Sequence, residues 1–311
     1  MNDRKMVLDG MMGLVVGDAL GCPVQFLGRE ELRERGAVTE MEGYGTYNMP
    51  PGTWTDDSSM ALATLASINE RNGIDLRDIM ERFLDWEFHG AYTPFGKAFD
   101  EGNTCSNAIY KYRDSHDLTT CGETDEYSNG NGALMRILPV CLYFIQKEDI
   151  SDADALRQIH LATGLTHNHL RCHIASGLYY FIAKAIVTMA PKNADLKTCI
   201  QCGVEKGFAF YHTPERCTSG DYATSMNFSP CPKMKSRATA MFCMLWRRQS
   251  GVCFIPIAFG TACSAQSISA MILIPLPQSQ AGLQGCIITM KPYRRNGWMR
   301  FRKGIGLKIC V

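Results

Sequence analysis

Gly52-Thr53-Trp54-Thr55-Asp56-Asp57-Ser58-Ser59-Met60 marks the point where a loop turns into a helix. Upstream, Met41 to Thr53 mixes glycines and prolines with small polar residues, the composition of a loop. Downstream, Met60, Leu62, Leu65 and Ile68 fall at helical spacing. Asp56 or Asp57 is placed to cap that helix and to meet the positive end of its dipole. The same residues carry a second reading. Two adjacent carboxylates beside the Thr55 hydroxyl, on a turning backbone, supply the hard oxygen ligands that Mg²⁺ prefers.

Working outward, helical spacing recurs through the first two-thirds of the chain. Met6, Leu8, Met11, Leu14, Val15 and Leu20 form one helix that stops near Gly21-Cys22-Pro23. Leu76 to Phe88 is amphipathic, and Ser106 to Tyr112 is a shorter helix. Gly130 and Gly132 open an apolar run from Leu134 to Phe144; Ala153 to Thr163, Leu170 to Met189 and Asp195 to Phe208 follow. Strand-type alternation is nearly absent, so the expected fold class is all-α, a helical bundle.

The 311 residues suffice for one large domain or two small ones, and 46% hydrophobic with 20% charged residues is ordinary for a globular chain. No apolar run is read as approaching the ~18 residues of a membrane span. Met1 to Lys5 lacks the apolar stretch of a signal peptide. The expected location is cytoplasmic, with no membrane partner. Of the 14 cysteines, Cys199 and Cys202 form one Cys-x-x-Cys pair, and no second pair completes a four-cysteine zinc site. Reduced, mostly buried thiols are expected.

Three further clusters carry chemistry. In Gly17-Asp18-Ala19-Leu20-Gly21-Cys22-Pro23, an aspartate near the end of an apolar helix is costly to bury unless it is bonded; hydrogen bonds at the helix end would satisfy it. Ser128-Asn129-Gly130-Asn131-Gly132-Ala133-Leu134-Met135-Arg136 places small residues and amides before a helix. That is an ordinary helix entry and also a ready site for an anion or a ribose. Thr166-His167-Asn168-His169 sets two histidines at a helix start.

Taken in this order, Gly17 to Gly21, Trp54 to Ser58, Ser128 to Arg136 and Leu165-Thr166-His167 resemble the ADP-ribosylglycohydrolase family over roughly residues 6–212. The resemblance implies an all-α bundle with a two-Mg²⁺ centre in a cleft. It implies hydrolysis of the bond between C1″ of ADP-ribose and its acceptor. The partner would be an ADP-ribosylated protein or a small ADP-ribose conjugate. Thr55, Asp56 and Asp57 match the family's N-terminal metal ligands, with Asp57 also the catalytic carboxylate. Asp18, Asn129, Gly130, Asn131, Gly132 and His167 are carried over as substrate-binding positions. Some relatives serve as lens crystallins, so an ADP-ribose-binding or purely structural role is the alternative.

Two departures stand against that pattern. Several members carry a glutamate seven residues after the aspartate of the first motif; here that position is Gln25, which cannot act as a general base. The family also closes its metal site with a second acidic motif of the type Asp-Asp-x-Asp-Thr, which this chain lacks after Asp221.

The charge balance breaks in the same region. Residues 1–213 carry 19 Lys and Arg against 29 Asp and Glu; residues 214–311 carry 13 against two, Glu215 and Asp221. The genetic code offers a reason. Joining the third base of each codon to the first two of the next, Met271 into Ile272 must read GAT, Asp. Ala270 to Pro275 can then spell Asp-Asp-Thr-Asp-Thr, the missing motif. The same offset lets Arg295 to Met299 spell Glu-Trp-Met-Asp. We read 1–213 as an incomplete ADP-ribosylglycohydrolase-like helical domain and 214–311 as an out-of-frame tail, non-native or disordered. The basic residues of the tail are dispersed among Cys, Pro and Ile, unlike a nucleic-acid arm, so no nucleic-acid partner is expected. With half its metal ligands missing, the chain as written is expected to have little or no hydrolase activity.

Overall fold

The computed structural model describes residues 3–36, 38, 40–192 and 194–211, and the backbone of 258–260, 268–272 and 286–290. Two compact units divide the chain, Met1–Glu101 with Gly251–Val311, and Gly102–Ser250.

In the first unit, α1 (Asp3–Gly21) is buried on nearly every side from Gly10 onward. A helix apolar all round belongs in a core, and Met11, Leu14, Val15, Val16, Ala19 and Leu20 are each exposed by 3% or less. A 3-10 turn, Cys22–Val24, ends it where Pro23 cannot continue an α-helix. The short α2 (Arg29–Arg35) follows. Next come α3 (Asp56–Arg71) and α4 (Leu76–His89). The caps are local: Asn72 and Gly90 end these helices in the left-handed region, and the Asp75 side chain accepts from the Arg77 and Asp78 amides to start α4.

An ion-pair network pins α3 to α4. The buried Asp78 carboxylate accepts from Arg71 Nε at 2.9 Å on one oxygen and from Arg82 Nε at 2.7 Å on the other. Arg82 reaches on to Glu70 at 2.6 Å. Burial alone would raise the Asp78 carboxyl, but the bonds from Arg82, Ser67 and Arg71 prevail and hold it at about 2.

In the second unit, α5 (Asn103–Ser115), α6 (Leu138–Ile145), α7 (Asp152–Gly164), α8 (Leu170–Met189) and α9 (Leu196–Tyr211) form a bundle around α8. The chain of α9 comes so close to α8 that a Cβ on Gly203 would sit 2.5 Å from the Ile182 Cα.

The all-α expectation holds over the helical stretch. Several details differ from it. The N-cap of α3 is Thr55 rather than either aspartate, and Asp56 is the first helical residue. The helix at Ser106–Tyr112 runs from Asn103 to Ser115. The apolar run from Leu134 divides into a 3-10 turn, Leu134–Arg136, and α6, with Pro139 inside the first turn of α6. Two stretches do reach membrane-span length and apolarity, Arg4–Val24 and Leu170–Lys192. They are 72% and 61% buried within the fold, as the core helices of a bundle are.

The tail expected to be out of frame lies almost entirely outside the described residues. Its described backbone forms three short antiparallel strands, β1 (Ala258–Gly260), β2 (Ile268–Ile272) and β3 (Cys286–Met290), in the order β1-β2-β3. Ala270 pairs with Ala258 on one side and Ile288 on the other.

Candidate functional site

Two groups of the expected site residues come together, each within its own unit. The first is built where α3 begins. The Asp18 carboxylate, near the end of α1, receives four hydrogen bonds from that point. One oxygen accepts from the Thr55 hydroxyl at 2.9 Å. The other accepts from the Thr55 amide at 2.9 Å, the Ser58 amide at 3.1 Å and the Ser58 hydroxyl at 2.5 Å. The reading of Asp18 as bonded at its own helix end is thereby corrected: its partners lie across the core. The first N–H groups of a helix have no acceptor within it, and Asp18 supplies one from another element. Burial pushes the Asp18 carboxyl up, against the pull of those hydrogen bonds.

Asp56 is buried and Asp57 half-buried. Asp56 Oδ1 accepts from the Asp57 amide at 3.1 Å, and the Asp57 carboxylate lies 3.4 Å from the Thr55 hydroxyl. Both carboxyls sit well above the usual carboxylate range. Desolvation is the main cause for each; neighbouring negative charge adds to it, from Asp57, Asp100 and Asp18 for Asp56, and from Asp18 and Asp100 for Asp57.

Asp100 is a fourth acid of this group, one that the sequence reading did not single out. It follows α4 in a loop, where no periodicity points to it. The Tyr47 hydroxyl donates to it, and the Gln25 side chain also hydrogen-bonds to it. Burial raises it to about 6, against those bonds, with Asp18 and Glu101 adding to the rise. Gln25, the residue that departs from the family pattern, thus serves as a hydrogen-bond partner of an acid.

Asp18, Asp56, Asp57 and Asp100 therefore concentrate negative charge in a desolvated place. Such a group suits a hard divalent cation in the kind of its oxygen donors. In arrangement it falls short: among the described residues no three His, Cys, Asp or Glu side chains converge to hold a metal. At the place of the missing second motif, Ala270, Met271 and Ile272 lie in β2 and bring no oxygen-bearing side chain.

The second group lies in the other unit. Asp125 accepts from the Tyr127 and Ser128 amides, making a tight turn before the glycines. The buried Asn129 spends its side-chain amide on the Glu126 carbonyl. Gly130 and Asn131 are half-buried and Gly132 is buried. Two backbone bonds tie the chain around His167 to Glu123: the Glu123 amide donates to the Thr166 carbonyl at 3.0 Å, and the Asn168 amide to the Glu123 carbonyl at 2.7 Å. The His167 ring consequently stands against the glycines. A Cβ on Gly132 would lie 2.7 Å from its Cε1 and 2.5 Å from Cys105 Sγ, so no larger residue fits there without movement. A Cβ on Gly130 would lie 3.6 Å from Nε2, an ordinary contact.

His167 is 2% exposed. Burial, and then the Arg136 charge, hold it down at about 3, so it is a neutral imidazole near pH 7. Arg136, the last residue of the glycine motif, is fully buried and donates to the Ala162 carbonyl and to Thr166 Oγ1. His169 is the N-cap of α8, accepting from the Arg171 amide at 3.2 Å. The described cysteines are free thiols, and six of the seven are buried.

Residues 1–245 match the sequence profile of the ADP-ribosylglycohydrolase family. The chain is 35% identical over 133 residues to an ADP-ribosylarginine hydrolase, Tri1, of Serratia proteamaculans, covering 43% of this chain and 35% of that protein. It is 35% identical over 163 residues to the ADP-ribosyl-[dinitrogen reductase] glycohydrolase of Rhodospirillum rubrum, covering 52% of this chain and 51% of the relative. The chain thus spans between a third and a half of the length of these relatives. A solved structure described as an ADP-ribosylglycohydrolase-related protein complex superposes with a TM-score of 0.52 at 26% identity, covering 78% of this chain and 75% of the other.

Proposed function

Since the chain belongs to the ADP-ribosylglycohydrolase family, we propose that its lineage performs Mg²⁺-dependent hydrolysis of the glycosidic bond between ADP-ribose and an acceptor. The acceptor is an ADP-ribosylated protein side chain or a small conjugate; the names of the two relatives point to arginine and to dinitrogen reductase. The observation that carries the reading is the set of acids at the start of α3. Four carboxylates share a desolvated place, and the charges acting on Asp56 and Asp57 are those of neighbouring acids.

In this reading Thr55, Asp56 and Asp57 would hold the cation, and Asp57 would be the catalytic carboxylate. Mg²⁺, if held there, would supply orientation of ribose hydroxyls and of an attacking water and neutralisation of charge on the distal ribose. The protein's own part is positional. Asp18 fixes the Thr55 and Ser58 amides and hydroxyls, and Asp100 adds a carboxylate held by Tyr47 and Gln25. In the other unit, Asn129, Gly130, Asn131, Gly132 and His167 would be the ADP-ribose-binding positions by the family resemblance.

We further read this chain as impaired. The second acidic motif is absent from the polypeptide, while the shifted codons of Ala270 to Pro275 accommodate it. A cytoplasmic location is proposed on the same footing, from the free thiols among the described residues. Calorimetric titration with ADP-ribose, with and without Mg²⁺, tests the reading together with a turnover assay on ADP-ribosylarginine. Binding with turnover in the frame-restored protein supports it. Binding without turnover in that protein identifies a binding module, and absence of both leaves a structural product.

A further inference from the structure

A chain of hydrogen bonds links Arg136 through Thr166 to His167 and bears on which ring nitrogen carries a proton. Arg136 NH2 donates to Thr166 Oγ1 at 2.8 Å, and a guanidinium can only donate. That oxygen therefore acts as acceptor on the arginine side. Its single proton is repelled by the cation and has the His167 Nδ1 at 2.9 Å. That proton is placed to be donated to Nδ1, an arrangement that leaves the imidazole proton on Nε2. The reverse arrangement, with a protonated Nδ1, would turn the hydroxyl hydrogen away from its nitrogen partner beside a positive charge.

The surroundings hold this geometry. Thr166 is fully buried, and its amide donates to the Thr163 carbonyl at 3.4 Å. The His167 amide bonds the same carbonyl at 3.2 Å, and both flanks of the histidine are tied to Glu123. The opposite edge of the ring faces the glycines, with Nε2 3.6 Å from where a Gly130 side chain would begin. A Cβ there would come into ordinary contact with the nitrogen, and glycine omits that contact.

We propose that Arg136 and Thr166 are positioning residues that lock His167 as its Nε2–H tautomer, so that it presents a permanent hydrogen-bond donor at the Gly130–Gly132 loop to an oxygen acceptor of the bound nucleotide-sugar. Its proton is not for transfer; the ring is a fixed, uncharged donor, as suits a group that binds rather than one that catalyses. The ligand half of the proposal rests on the ADP-ribose reading above; the tautomer half does not.

The test is ¹⁵N NMR of the full chain with labelled histidine at neutral pH. The expected spectrum shows His167 Nδ1 unprotonated and Nε2 protonated. Thr166→Ser should retain it. Thr166→Val, which keeps the shape and removes the hydroxyl, should give a mixture of tautomers and weaken ADP-ribose binding roughly tenfold, with Thr166→Ser within about twofold of the unaltered chain. A protonated Nδ1 in the unaltered chain overturns the proposal, as does an unchanged tautomer in Thr166→Val. Should the valine variant fail to fold by circular dichroism, the unaltered chain and the serine variant still decide the tautomer. If the tautomer is as expected and ADP-ribose does not bind, the lock stands and the assigned function falls.

Discussion

Asp18 accepts both the hydroxyl and the amide of Thr55, each at 2.9 Å, so the N-cap of α3 is itself held by a side chain 37 residues earlier. The first turn of α3, with the acids it carries, is thereby fixed to the buried α1. Replacing Asp18 by Ala removes the acceptor of four hydrogen bonds and strands two amides inside the core. The expected loss is about 3 kcal/mol, measured as a lower urea midpoint at unchanged slope. A loss under about 0.5 kcal/mol would mean that water replaces the carboxylate without cost.

Asp57→Asn is expected to stabilise the metal-free protein. Its carboxyl is raised above its unfolded value by desolvation and by the charges of Asp18 and Asp100. A group raised in this way favours the fold fully below its unfolded pKa, near 3.8, and that contribution is lost as pH rises through the folded value. At pH 7 the native state carries the penalty, which asparagine removes. A gain of about 1 kcal/mol would raise the melting midpoint by roughly 2–4 °C. The gain should vanish below pH 4, and added Mg²⁺ should stabilise the unaltered chain more than the variant.

The buried histidines act with the opposite sign. His160 and His167 are held down at about 3, and His173 at about 4, with burial the main cause for each. Their contribution is complete above the unfolded value of 6.5 and is lost as pH falls from there toward 3–4. Amide exchange in α7 and α8, corrected for intrinsic rate, should lose protection between pH 6.5 and 4. Flat protection across that window would place these rings in contact with water.

The two glycines facing His167 should respond differently. Gly132→Ala forces a Cβ against Cys105 Sγ and the imidazole and should cost about 1–3 kcal/mol. Gly130→Ala meets only an ordinary 3.6 Å contact, so stability should change by less than about 1 kcal/mol. The same substitution shields Nε2 and should weaken ADP-ribose binding. Thermal melts with a binding titration on each variant separate the two effects.

What the sequence disclosed depended on how far apart the partners lie. The helices α1, α3, α4, α7, α8 and α9 were legible because apolar spacing and local caps are short-range signals. Thr55 as N-cap was not, because its hydroxyl is oriented by Asp18 on another element. Asp100 escaped notice for a similar reason: only the fold brings it to Asp18 and Asp56. The Arg136–Thr166 bond spans 30 residues, and a buried arginine inside a glycine motif gives no outward sign of being buried. The reading that no apolar run approaches a membrane span missed α1 and α8, which are apolar enough because they are core helices.

The frame reading has its own check at the gene. Codons 270–275 should spell GAT-GAT-ACx-GAT-ACx in the shifted frame, and any other spelling there removes the explanation for the missing motif.

The most direct measurement is release of ADP-ribose from ADP-ribosylarginine by the frame-restored protein, with Mg²⁺ present and with it chelated. The account predicts Mg²⁺-dependent release that Asp57→Asn abolishes, and little or none from the chain as it stands. Release that persists without Mg²⁺ or with Asp57→Asn, or no release from the restored protein, would contradict it.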